Sequence, residues 1–553
     1  MTNCSCGPAE PAPRSRERRV DVLVVGGGVG GVAAAMAATR SGYSVMLTEE
    51  TPWLGGQLTS QAVPPDEHPW IEETGCTRTY RRLRDTIRSH YRNHFPLTAE
   101  ARSNPRLNPG AAYVSALAHE PRVAHASIET MLAPLRASGR LEVLHRRRPI
   151  SAATDGDRVA SVTLQDLEQG DESIVSAEYV LDATETGELL PLTGTEYVTG
   201  AESRADTGEP HAPKLADPLN MQAVSVCFAL EHRAGEDHTI DRPESYGSWR
   251  DYRARFWPAP LLSWIAPDPQ TLEPVERFLL PNPQPDPFFD GEAVPYQRGG
   301  DVDLWLFRRI AARRNFRDGF MTSDITLVNW PMIDYWLGPV FEVDVGTARS
   351  HLEGARALSL SFLYWMQTEA PRTDGGTGYP GLRLRPDVVG TNDGLAMAPY
   401  IRESRRIRAR HTIAEQELAA EVRGPHGAAR YEDSVGVGSY RIDLHPSTSG
   451  DTYIDIASVP FELPLGSLLP IRMRNLLPAC KNIGTTHITN GCYRLHPVEW
   501  NVGEVAGLVA AFCLRAKIEP HGLGAGSESL EEFTGMIERE GIQRRWSDVI
   551  PPA

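Results

Sequence analysis

Residues 19–57, RVDVLVVGGGVGGVAAAMAATRSGYSVMLTEETPWLGGQ, decide the fold. Val20 to Val25, interrupted only by Asp21, is a hydrophobic run that reads as a strand buried on both faces. It runs straight into a G-x-G-x-x-G turn at Gly26, Gly28 and Gly31. Gly26 permits the tight turn, Gly28 lets a pyrophosphate approach the backbone, and Gly31 seats the next helix close on the strand. That helix, Val32 to Ser41, is rich in alanine and aims its free N-terminal amides, with those of Val29 and Gly30, at a phosphate. Gly42 stops it. A second strand, Ser44 to Thr48, then delivers Glu49, with Glu50 beside it, about 20 residues past the first glycine, where a carboxylate binds a ribose hydroxyl. A bare glycine-rich turn would not explain the acid at that distance. Strand, turn, helix, strand and acid in register predict an adenine dinucleotide site in an α/β fold.

The chain has 553 residues, too many for one simple core, so two domains are expected. Apolar residues make up 41%, ample for a globular core. The formal charge of −16 comes from scattered acids and disfavours a nucleic-acid partner. Seven cysteines with no C-x-x-C pair suggest neither a disulfide framework nor a zinc site, and no metal is expected. No stretch reaches 18 apolar residues, and the Pro-, Ser- and Arg-rich residues 1–18 read as a disordered tail without a secretory leader. The expectation is a cytoplasmic protein with no membrane span. Its oligomeric state is left open.

Further along, Tyr80 to Asn93 and Pro121 to Ser138 read as helices. Leu141 to His145, Arg158 to Leu164 and Tyr179 to Thr184 read as strands, the last ending in the small-residue turn Ala183-Thr184. Residues 190–470 carry no second glycine fingerprint, so no separate nicotinamide domain is expected there. Their seven tryptophans, Trp249 to Trp365, are read mainly as packing. Near the C-terminus, Asn475 to Gly484 reads as a strand ending in a polar loop. Thr485 to Glu499 is dense in polar groups, and Asn501-Val502-Gly503-Glu504 is read as the opening of an apolar helix continuing from Val505 to Leu514.

The glycine turn followed by the pair Gly55-Gly56 and by Gln57 and Leu58 resembles the glutathione-reductase-like flavoproteins. In those proteins a loop with a glycine pair lines FAD, and a distant strand and helix complete the flavin site. The resemblance implies FAD as cofactor. It implies a Rossmann-like FAD domain, a parallel sheet plus β-meander, interleaved with an α+β substrate domain. The expected division is 19–189 and 471–520 for the FAD domain, 190–470 for the substrate domain and 521–553 as a C-terminal extension. It also implies cofactor contacts from Ala183, Thr184, Lys481, Asn482, Gly503, Glu504 and Val505, with Cys480-Lys481 standing where the family has Gly-Asp. The LGGQ stretch, the Arg402-Glu403-Ser404-Arg405-Arg406 run and the C-terminal segment are similar to a bacterial group of FAD-dependent oxidoreductases, some of which carry the name xanthan lyase.

The two-part FAD site without a nicotinamide domain is read as an oxidase or dehydrogenase: a C–H bond of a small polar alcohol or amine gives a hydride to flavin N5, and O2 or another acceptor reoxidises the flavin. A base must take the accompanying proton, and histidine suits neutral pH. Three are candidates: His487, His496, and His445, which shares one strand face with Arg441 and Asp443 at period two. Asn490 and Arg494 join them as substrate contacts, Arg494 as a carboxylate or phosphate clamp. Two other readings stay open: a flavin monooxygenase reduced by NAD(P)H, and a non-catalytic binding protein on the same fold.

Overall fold

The computed structural model describes residues 16–546. Most of the expected N-terminal tail, and the last residues of the C-terminal extension, lie outside the described residues. The first strand, β1, runs Arg16–Val25 and so takes in residues 16–18, which the sequence reading had placed in the tail. Helix α1, Val29–Arg40, follows the glycine turn, and β2 is Val45–Glu49. Helices α2 (Arg78–His94) and α3 (Pro121–Ala137) come next, then β3 (Leu141–His145), β4 (Arg147–Asp155), β5 (Arg158–Asp166) and β6 (Glu172–Asp182). The β4 strand went unread because Arg147-Arg148-Pro149 opens it and its outer half is exposed.

These strands form one sheet in the order β3-β2-β1-β6-β5-β4. β1, β2, β3 and β6 are parallel, and β4 and β5 return antiparallel as the meander. The register sets Val25 opposite both Thr48 and Asp182, and Glu49 opposite His145. The carboxyl ends of β1, β2 and β6 therefore meet at one edge, the place where open parallel sheets bind ligands.

The middle of the chain builds a second sheet from β7 (Phe228–His232), β8 (Arg309–Ala311), β9 (Ile325–Val328) and β10 (Leu382–Leu384), antiparallel in the order β8-β9-β7-β10. Helix α4, Val345–Thr368, packs Phe362 and Trp365 against Trp264, and Trp330 meets Phe362 edge-on. All seven tryptophans of this region are buried. Two hairpins follow: β11 (Ser434–Gly438) pairs with β14 (Phe461–Pro464), and β12 (Ile442–Leu444) with β13 (Ile454–Ile456).

The chain then returns to the first sheet. β15, Leu476–Pro478, joins parallel to β6 with Pro478 opposite Asp182. Helices α5 (His487–Tyr493) and α6 (His496–Ala516) follow, and α7 (Glu528–Glu540) packs on α6 through Phe533 and Phe512. Helix α6 opens five residues earlier than expected, with Pro497 in its first turn, a position where the missing N–H costs nothing. The polar stretch Thr485 to Glu499 is thus mostly helical, its polar groups being buried partners rather than loop residues.

Helix α6 crosses α1 at backbone contact. A Cβ on Gly503 would lie 1.9 Å from the carbonyl oxygen of Gly30, and one on Gly30 would lie 1.9 Å from that of Ala479. Small residues at the crossing are a steric requirement of this packing. Gly503 and Val505 are core residues inside α6, and Glu504 accepts a hydrogen bond from Thr79 on α2. Helix α6 opens at His496 and its first intrahelical bond runs from the Glu499 amide to the Leu495 carbonyl, so the assignment of Gly503, Glu504 and Val505 to the helix mouth is corrected by about two turns.

Candidate active site

At the carboxyl edge of the parallel sheet lies a cavity of about 330 Å³. Gly26, Gly28, Glu49, Glu50, Gly56, Arg147, Ala183, Thr184 and Glu185 line it. Gly26 has φ +99°, and a Cβ there would sit 2.2 Å from the Ala183 carbonyl oxygen, so the turn can only be glycine. The Gly55-Gly56 loop closes over the first turn: the Gly55 amide donates to the Gly27 carbonyl, and Gly56 abuts the Gly28 Cα. The Glu49 carboxylate accepts from the amides of Gly27 (2.9 Å) and Thr51 (2.8 Å). Each oxygen keeps a lone pair for a further donor. Thr184 is pinned by its hydroxyl to Asp182 (2.7 Å).

Behind the turn, the buried Lys481 ammonium pairs with Glu185 and lies 3.9 Å from Glu499. Asn482 is used structurally, donating to the Asp182 carbonyl (3.0 Å), and Leu58 is core. Glu185, Cys480 and Glu499 bring ligand atoms within 4.8 Å of one another, but the Lys481 ammonium already stands among them as their counter-ion.

A chain of hydrogen bonds leads away from this turn. Gly30 N–H donates to Glu499 (3.3 Å), Gln57 donates to Glu499 (2.6 Å) and to the Arg494 carbonyl (3.0 Å), and the Arg494 guanidinium donates to Tyr400 and to Asp443 (3.2 Å). It ends at a second cavity of about 520 Å³, lined by Asp66, Arg308, Tyr400, Arg402, Arg441, Asp443, His445, Tyr453 and Arg494 among others.

Within that cavity His445 is the ordered imidazole. Its Nδ1 donates to Asp334 (2.6 Å), and its Nε2 stands 3.6 Å from the Asp443 carboxylate. Asp334 is itself fixed by the Ser225 hydroxyl (2.6 Å) and by Arg402 (3.0 Å). Burial pushes the Asp334 carboxyl up, but Arg402 and His445 outweigh it and hold it below the usual carboxylate range. An anionic partner on Nδ1 fixes the tautomer that leaves Nε2 as the acceptor at the cavity.

The other candidates sit elsewhere. His487 donates to Glu403 (2.9 Å) inside a buried network with Arg406 and Glu202, and does not line the cavity. Burial would lower its pKa, but Glu403 outweighs burial and raises it, so it is read as a structural cation. His496 is wholly buried: its Nδ1 accepts from the Asp66 amide (3.1 Å), and burial pulls it down to about 3. Asn490 donates to the Arg402 carbonyl (3.0 Å) and positions that segment. Of the five, the structure brings His445 and Arg494 to one cavity. The sequence reading missed Arg308 and Tyr453 on its wall and Asp334 behind His445; no local pattern marks them, since each comes from a different segment.

The donor set fits an adenine dinucleotide with polyhydroxyl spacers. Glu49 offers carboxylate acceptors at the first cavity, α1 offers first-turn amides, and Gln57 Oε1 and Glu185 Oε1 are buried acceptors without a partner among the described residues. A family model of FAD dependent oxidoreductases matches residues 21–532. The chain belongs to that family. FAD is its cofactor, and its chemistry is that of an oxidoreductase.

Curated relatives match over short stretches. Bilirubin reductase of Mediterraneibacter gnavus is 34% identical over 104 residues, 19% of this chain and 15% of that protein. The N,N-dimethylglycine/sarcosine dehydrogenase of Chromohalobacter salexigens is 40% identical over 74 residues, 13% and 10% respectively. The chain thus spans less than a fifth of the length of either. Among solved structures, a myxobacterial chondrochloren halogenase aligns over 95% of this chain and 80% of its own at 12% identity and TM-score 0.32. Among the described residues no helix is long and apolar enough to cross a membrane.

One expected result concerns the nucleotide cavity. Burial drives the Glu49 carboxyl up to about 7, against the pull of Thr51 and Gly27. A ribose hydroxyl donates best to the ionised form, so binding below pH 7 requires loss of a proton. FAD affinity of the apoprotein should therefore weaken as pH falls through about 7, and Glu49→Gln should lower it roughly tenfold and flatten that dependence. Titrating apoprotein with FAD by flavin fluorescence at several pH values checks this; an unchanged pH profile in the variant refutes the assignment.

Proposed function

We propose that this chain is an FAD-dependent dehydrogenase or oxidase acting on a small polar alcohol or amine. The carrying observation is the Asp334–His445 pair, with Nε2 beside Asp443 in a cavity joined by hydrogen bonds to the dinucleotide turn. Bound FAD supplies the acceptor for the hydride of the C–H bond. The substrate's O–H or N–H proton passes to His445 Nε2, and Asp334 stabilises the imidazolium that forms. Arg402 and Ser225 are positioning residues, keeping Asp334 ionised and aimed. Arg494, anchored to Tyr400 and Asp443, presents a fixed positive edge to the same cavity.

The test is anaerobic mixing of the purified flavoprotein with alcohols, hydroxy acids and amines while following the visible flavin absorbance. The expected result is bleaching by at least one of these donors without NAD(P)H. Bleaching by NADPH alone, accelerated by an aromatic compound, would replace this reading with a monooxygenase.

A further inference from the structure

Arg308 is the odd cation of the second cavity. Its side chain is 13% exposed, its nearest acid is Asp66 at 3.7 Å, beyond hydrogen-bond reach, and its Nε and Nη1 are buried without a partner among the described residues. Four other arginines of this cavity are committed, Arg402 to Asp334, Arg494 to Asp443 and Tyr400, Arg277 to Asp301 and Arg441 to Asp455, and Arg298 is exposed to solvent. Asp334 is spent on Arg402 and His445, and Asp443 on Arg494. Asp66 is a weak counter-ion, because burial pushes its carboxyl up toward the neutral form. A buried guanidinium with unmade hydrogen bonds costs stability, so its retention at a cavity wall points to a ligand that completes it. Across the cavity the Tyr453 hydroxyl is also buried without a partner.

We propose that Arg308 is the carboxylate clamp of the substrate site, so that the oxidised alcohol or amine is part of a small organic acid. The inference rests on the preceding reading of the cavity as the substrate site. The planar fork of arginine matches a carboxylate through two parallel N–H···O bonds. A doubly charged phosphate is disfavoured by the Asp443 carboxylate that shares the wall. His445 lies on the same cavity, so an acid held at Arg308 presents its neighbouring hydroxyl or amino group to the base within one small molecule.

Binding is read without turnover, by saturation-transfer NMR of the holoprotein with propionate, propionamide and inorganic phosphate. Propionate should bind and propionamide should not at the same concentration; phosphate should bind more weakly than propionate. Arg308→Met should weaken propionate about tenfold or more, and Arg308→Lys should restore part of it. Both variants are first checked for FAD content and unfolding midpoint; if Arg308→Met loses FAD, the comparison is made on Arg308→Lys, whose point charge lacks the fork and should still bind severalfold more weakly than wild type. Equal binding of propionamide, tighter binding of phosphate, or unchanged propionate affinity in the variants overturns the clamp. Carboxylate binding with no flavin reduction by any hydroxy or amino acid would leave the clamp standing and remove the oxidation reading instead.

Discussion

Replacing His445 by Asn lowers the rate of flavin reduction by substrate about 10²–10⁴-fold while FAD stays bound. The residue touches no part of the glycine turn or the Glu49 cavity, so the cofactor spectrum of the variant is unchanged. Asp334→Asn falls in the same range for a different reason. Asn offers a donor as readily as an acceptor, so Nδ1 is no longer forced to carry the proton and Nε2 loses its standing as the acceptor. The two defects are not additive, because both groups serve one proton transfer. Anaerobic stopped-flow reduction of each variant and of the double variant measures this. Rates within threefold of wild type for His445→Asn would remove it as the base.

The second large effect is structural. Arg309, next in sequence to the clamp, has no exposed surface and bonds Asp286 (2.7 Å), Asp324 (3.0 Å) and the carbonyl oxygens of Gly110 and Ala111. It ties β8 to the segment leading into α3. Arg309→Met strands two buried carboxylates without their cation, and breaking such a pair costs about 3–5 kcal/mol. Arg314, by contrast, pairs with Asp290 at the surface, and Arg314→Ala should cost less than about 1 kcal/mol. Urea unfolding of the two variants side by side decides the matter. Equal midpoints would mean that the Arg309 cluster relaxes around its loss.

These neighbours also mark the limit of what the chain discloses as text. Arg308 and Arg309 are identical letters in succession, and only the fold turns one to the cavity wall and the other into a closed ion cluster. The dinucleotide half was legible because strand, turn, helix and acid are contiguous, and each glycine answers to a local steric need. Arg441, Asp443 and His445 were legible as one face because strand periodicity is two, and all three line the second cavity. Asp334 was not, since it reaches His445 from 111 residues away. The start of α6 was misplaced because His496 and Glu499 look like loop residues. Pro497, at a favoured first-turn position, was the signal that could have corrected it.

The crossing of α1 and α6 bears on how this protein comes into being. Gly30 and Glu499, which bond to each other, are 469 residues apart. At about 5–20 residues per second, the ribosome takes roughly 25–90 s to supply the second after the first. Throughout that interval the apolar end of β1, Val22 to Val25, and the alanine-rich α1 exist without the helix and strand that cover them, a long-range pairing of the kind that slows folding. Flavin capture is then a late event in biosynthesis, a chemical sign that the last segment has reached the first. In a cell short of FAD, the nascent chain would expose this seam longest, which makes cofactor supply a determinant of how much protein survives to fold.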